Sequence, residues 1–188
     1  MYNAFHRIFW GYFIVWIEIH LFVIDILADP VGYYLIYSGI SDVVKDFPIG
    51  HKAKNLAKIL VFISFPTVFV QQNLRIDQLT HLSMFSGWTL YTTLLSLLKF
   101  ILVFYIFQLI MAIVQMHGDE RMIRRSSRTF TFYVIGMFFV LCLNTFMINL
   151  PVEILLFLAV ISVVCTLLLE ILFLLLLRSV SHIKIEPS

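Results

Sequence analysis

The chain has 188 residues, 61% hydrophobic and 13% charged, against about 45–50% apolar and about 25% charged in an ordinary soluble domain. A small soluble fold leaves much of its area in water, so this composition excludes a soluble globular domain and indicates an all-α integral membrane protein. The formal net charge of +2 says little as a total; where the charges fall says more.

A spanning helix needs about 20 mostly apolar residues, within a range of about 17–25. On that rule the chain reads as a single transmembrane domain over residues 1–188, a bundle of six transmembrane helices near 8–27, 30–47, 56–70, 88–116, 129–149 and 152–177. Arg7 precedes the first run, but no small-residue cleavage site follows, so the run reads as a retained helix rather than a leader. The second run is short. It opens at Asp29-Pro30, where Asp suits a helix cap and Pro the first helical position.

Lys52, Lys54 and Lys58, in the polar segment Asp46 to Lys58, have a spacing that could extend along a helix entering the third run, and Pro66 predicts a kink within that run. Residues 71–87 are polar with interspersed Leu, Ile and Met, which predicts a short segment on the membrane surface. The fourth run is long enough to tilt and carries Lys99 near its middle. HGDERMIRRSSR reads as a second basic loop. Pro151 precedes the sixth run, which carries Glu170.

Cytoplasmic flanks carry the excess of Lys and Arg. With six spans, one side collects Arg7, Lys45, Lys52, Lys54, Lys58, Arg121, Arg124, Arg125, Arg128, Arg178 and Lys184, and the other only Arg75. N- and C-termini are therefore expected in the cytoplasm. A re-entrant second segment would move the lysine cluster outside, against that rule.

Ionisable groups deep in hydrocarbon are costly and usually face a partner. Three are expected there: Glu18, Lys99 and Glu170. Helix rise puts Glu18 roughly 15 Å and Lys99 roughly 16 Å below the outer ends of their helices, and Glu170 roughly 22 Å. That depth match suggests an intramembrane cluster built on a Glu18–Lys99 ion pair with Glu170 as a second acid. It would serve as a packing device or as a coupling site for protons or ions.

A second polar cluster is expected at the outer face, with His20, Asp25 and Asp29 and with Asp77 and His81 nearby. Asp25 and Asp29 share a face if helix persists that far. Two carboxylates with histidines could hold a divalent cation or polarise a substrate, but capping explains Asp29 without a ligand and the spacing matches no metal signature, so neither metal nor cofactor is the expectation.

The stretch Asp25-Ile-Leu-Ala-Asp29-Pro30-Val-Gly32-Tyr33, after a first helix containing Phe9-Trp10-Gly11, resembles the D-I-L-P-D-x-x-G-Y stretch of uncharacterised multi-pass membrane proteins from Bacillus- and Clostridium-type bacteria. Ala28 stands where those have proline, and Pro30 follows the second aspartate. The resemblance covers roughly the first 45 residues. It implies a bacterial cytoplasmic membrane protein and lends no activity.

Cys142 and Cys165 lie inside apolar runs and read as small buried hydrophobes. No Gly-rich phosphate loop and no G-x-S-x-G elbow occur, and nothing supports nucleic-acid binding. The basic segment 121–128 fits ordinary membrane topology and could also meet anionic lipid head groups. Three function classes follow. One is a structural or regulatory partner within a membrane complex, with a membrane protein partner or a homo-oligomer. Another is a small transporter, flippase or channel using Glu18, Lys99 and Glu170. The third is an intramembrane enzyme acting on lipid through His20, Asp25 and Asp29.

Overall fold

The computed structural model describes residues 1–20, 29–68, 87–147 and 151–183. They form six α-helices and two short 3-10 turns in two compact units, Met1–Leu109 and Ile110–Ser188. The first unit holds α1 (Tyr2–His20), α2 (Asp29–Val43), α3 (His51–Ile63) and most of α4 (Gly87–His117). The second holds the end of α4, α5 (Glu120–Met147) and α6 (Val152–Ser181).

In the first unit, each helix buries one stripe. Phe5, Ile8, Tyr12 and Val15 of α1 recur at three and four residues, as do Tyr33, Ile36, Ile40 and Val43 of α2. That spacing keeps them on one face of a helix with 3.6 residues per turn. The two helices run antiparallel along a glycine seam. A β-carbon at Gly11 would stand 2.5 Å from the Gly32 carbonyl oxygen, and one at Gly39 would stand 2.5 Å from that of Ala4. Only residues without side chains let two backbones meet so closely.

At one end of this pair, the Arg7 guanidinium donates to Ser38 Oγ at 2.7 Å and pairs with the Asp42 carboxylate. Beyond Val43 the chain turns through Pro48–Gly50 into α3. Lys52 and Lys54 stand over the rings of Tyr105 and Tyr37, at 6.0 and 5.7 Å from the ring centres. The helix that the lysine spacing allows is formed: α3 begins at His51 and carries Lys52, Lys54 and Lys58. Pro66 does not kink this helix. It lies in the 3-10 turn Phe65–Val68 that follows, because proline has no N–H to continue the helical ladder.

The second unit is built on the antiparallel pair α5 and α6. Gly136 of α5 lies against Leu169 of α6, where an added β-carbon would be 3.0 Å from the leucine methyls. Further along, Ser162 Oγ donates to Asn144 Oδ1 at 2.7 Å. The basic segment before the fifth run is not a loop. Only Gly118 and Asp119 interrupt the helix, and Asp119 Oδ1 accepts the Met122 N–H at 2.9 Å. That side-chain cap satisfies one of the first donors of α5, so the helix starts at Glu120 and carries Arg121 to Arg128 on its first turns.

Among the described residues, three helices are long and apolar enough to cross a membrane: Leu90–His117, Glu120–Phe146 and Phe157–Ser181, of 28, 27 and 25 residues. At 1.5 Å per residue each exceeds the roughly 30 Å of a hydrocarbon layer. Helix α2, with 15 residues, rises only about 22 Å. Helix α1 is described to His20, so the last residues of the first apolar run lie outside the described residues.

Candidate functional site

Lys99 sits near the middle of α4 and is only 6% exposed. Its ammonium lies 5.1 Å from the centre of the Tyr12 ring on α1. A cation held over an aromatic face recovers part of the hydration it loses, because the ring quadrupole is negative there. Tyr12 is itself 1% exposed, so this contact belongs to the interior of the first unit. Glu18 lies six residues beyond Tyr12, about 9 Å further along the helix. Its side chain, like that of His20, lies outside the described residues.

Glu170 lies in α6 and is fully buried. The Tyr133 hydroxyl of α5 donates to its Oε2 at 3.5 Å. The same tyrosine packs against Phe173, one turn along α6, with ring centres 5.6 Å apart. Tyr133 thus gives α6 both an apolar face and a donor, the usual dual role of a buried tyrosine. Of the expected intramembrane cluster, Lys99 is accommodated in the first unit and Glu170 in the second, each against a tyrosine of a neighbouring helix in its own unit. Neither tyrosine was anticipated from the sequence. The available signal was a hydroxylated aromatic inside an apolar run, too common in a chain with eight tyrosines to single out two.

Of the outer-face cluster, Asp25, Asp77 and His81 lie outside the described residues, and Asp29 stands at the start of α2, 5% exposed. It is close enough to Tyr91 of α4 for its carboxylate to act on that phenol electrostatically. Tyr91 in turn donates to the Ile63 carbonyl at the end of α3, at 2.7 Å. The start of α2, the end of α3 and the start of α4 therefore meet at one end of the first unit. Arg7, Asp42 and Lys52 mark the other. Among the described residues, no three His, Cys, Asp or Glu side chains are grouped to hold a metal ion. The expectation that both cysteines are buried fails: Cys142 is half-buried and Cys165 is exposed on α6, on helices whose outer faces are apolar.

The remaining concentration of charge is on α5. Arg121, Arg124, Arg125 and Arg128 line a concavity of about 420 Å³ with Thr129. Arg124 reaches Glu120 at 3.4 Å across an exposed turn.

The architecture is that of a helical protein with apolar, bilayer-length helices and charged residues held at interior and end positions. Comparison with protein-family models, curated proteins and solved structures finds no match.

Proposed function

We propose that the protein is a multi-pass membrane protein that acts as a structural or regulatory partner within a membrane complex. The observation that carries this reading is the way Lys99 and Glu170, buried within the long apolar helices, are used. Lys99 over Tyr12 and Glu170 beneath Tyr133 each join neighbouring helices inside one unit, as a packing device does. The arginines at the start of α5 are exposed, where another molecule can reach them.

Six crossings, with both termini in the cytoplasm of a bacterial cell, belong to the same proposal. The antiparallel run of α1 against α2, and of α5 against α6, supports an up-and-down bundle. The clustering of Arg7, Lys45 and Lys52 at one end of the first unit supports the orientation, since basic flanks stay inside.

A transport reading retains one supporting observation, a fully buried carboxylate within a membrane-length helix, since such groups often mark ion routes. One pair of measurements separates the two. Mild-detergent purification of the full chain from its native membrane should recover a second protein at fixed ratio, and sealed liposomes containing the chain alone should show no flux under a pH gradient or a potential. Flux that Glu170→Gln or Lys99→Met abolishes in a folded protein would overturn the partner reading. Single-cysteine labelling from either side of the membrane counts the crossings.

A further inference from the structure

The arginines at 121, 124, 125 and 128 stand three, one and three residues apart, so they share one face of α5. They are not on a loose loop, because the Asp119 cap holds these turns in the helix. Arg121 and Arg125, and again Arg124 and Arg128, are like charges four apart, which repel. One carboxylate, Glu120, offsets one of them. Among the described residues Arg121, Arg125 and Arg128 take part in no ion pair. The α3 lysines differ: Lys52 and Lys54 already lie over tyrosine rings of their own unit.

The same face continues without a break into apolar sequence. Positions 121, 125, 128, 132, 135 and 139 follow intervals of four and three, which keeps them in line along a helix. Phe132, Ile135 and Phe139 are 64–66% exposed. One helix surface thus reads as guanidinium groups around a concavity, then Thr129, then an open hydrocarbon strip. Its complement is a molecule with an anionic head and an alkyl tail. A soluble anion would leave the strip uncovered.

We propose that this face of α5 binds a phospholipid whose head group carries more than one negative charge, with its acyl chains along Phe132, Ile135 and Phe139. Guanidinium forks match phosphate oxygens two at a time. Four cations against the carboxylates of Asp119 and Glu120 leave a net surplus that a single phosphodiester cannot neutralise, so a phosphomonoester or a double phosphate fits better. The inference rests on the membrane reading of α5 and not on the existence of a protein partner.

The test uses the full chain in nanodiscs of phosphatidylcholine containing either phosphatidic acid or phosphatidylglycerol at equal total charge, with retained lipid read by native mass spectrometry. Wild type should retain phosphatidic acid in preference, and Arg121→Gln/Arg125→Gln should weaken that retention by roughly tenfold or more. Lys45→Gln/Lys58→Gln, which removes the same charge elsewhere, should leave it unchanged. Exchange of all four arginines for lysine should lose most of the preference, since it keeps charge but not the fork. Equal loss in the arginine and lysine pairs, or no preference in wild type, overturns the proposal. Displacement of the lipid by inorganic phosphate also overturns it, by showing a site for a free anion. Carbonate extraction of membranes scores the membrane reading separately: a chain released by carbonate refutes that reading, whereas a retained chain without lipid preference refutes this site alone.

Discussion

Lys99 of α4 holds its ammonium 5.1 Å from the centre of the Tyr12 ring of α1, with both residues buried. A cation–π contact contributes about 0.5–1 kcal/mol at exposed sites and about 2 kcal/mol or more where water is excluded. A cycle of Tyr12→Leu, Lys99→Met and the double change should therefore give a coupling energy of about 1–2 kcal/mol. Unfolding of the detergent-solubilised chain measures it, and a coupling near zero would show that the pair does not bind α1 to α4.

The glycine seam sets a second expectation. An alanine at Gly11 or Gly39 would put a methyl group 2.5 Å from a backbone oxygen of the facing helix. Backbone cannot swing aside as a side chain can, so each change should cost about 1–3 kcal/mol. Gly87→Ala is the control, because nothing lies within 4 Å of its added carbon. It should cost nothing measurable in the same unfolding assay.

In the second unit, Tyr133→Phe removes the donor to a buried carboxylate while keeping the ring. The loss should be about 1–3 kcal/mol, the range for depriving a buried polar group of a partner. Tyr133→Phe in a Glu170→Leu background should cost much less. Equal costs in the two backgrounds would mean that the hydroxyl serves something other than Glu170.

The Arg7–Asp42 pair behaves differently, for its side chains are 37% and 45% exposed. Water and salt screen such pairs, whose typical worth is about 0.2–1 kcal/mol. Asp42→Asn should thus lower stability by less than about 1 kcal/mol, with the difference shrinking at high ionic strength. A loss that ignores salt would assign Asp42 a packing role instead.

Much of the helical framework was legible beforehand. The fourth run was expected at Trp88–Met116 and is Gly87–His117; the sixth was expected from Val152 and begins there. Long apolar runs bounded by Gly and Pro leave little freedom in where a helix starts. The sequence misleads at Arg121–Arg128, where charge reads as loop. That segment is helical, because Arg is a good helix former and the Asp119 cap lets it extend a span outward, whereas the spacing of Lys52, Lys54 and Lys58 already allows the helix that α3 forms.

The candidate site divides along the same line. Composition and burial cost determine that Lys99 and Glu170, lying in apolar runs, must seek company, since hydrocarbon does not solvate charge. Which company they find is a matter of helix rotation and neighbour. No spacing along one strand of sequence relates Lys99 to Tyr12 across 87 residues, or Tyr133 to Glu170 across 37. The sequence by itself determined that the chain is helical, apolar and charged at its helix ends. Only the tertiary structure decided that its buried charges face tyrosines within separate units, and that four arginines share one open face above a strip of exposed phenylalanine and isoleucine. Periodicity defines a helix face, but the turn on which the helix begins and the neighbours that cover it decide which face stays open.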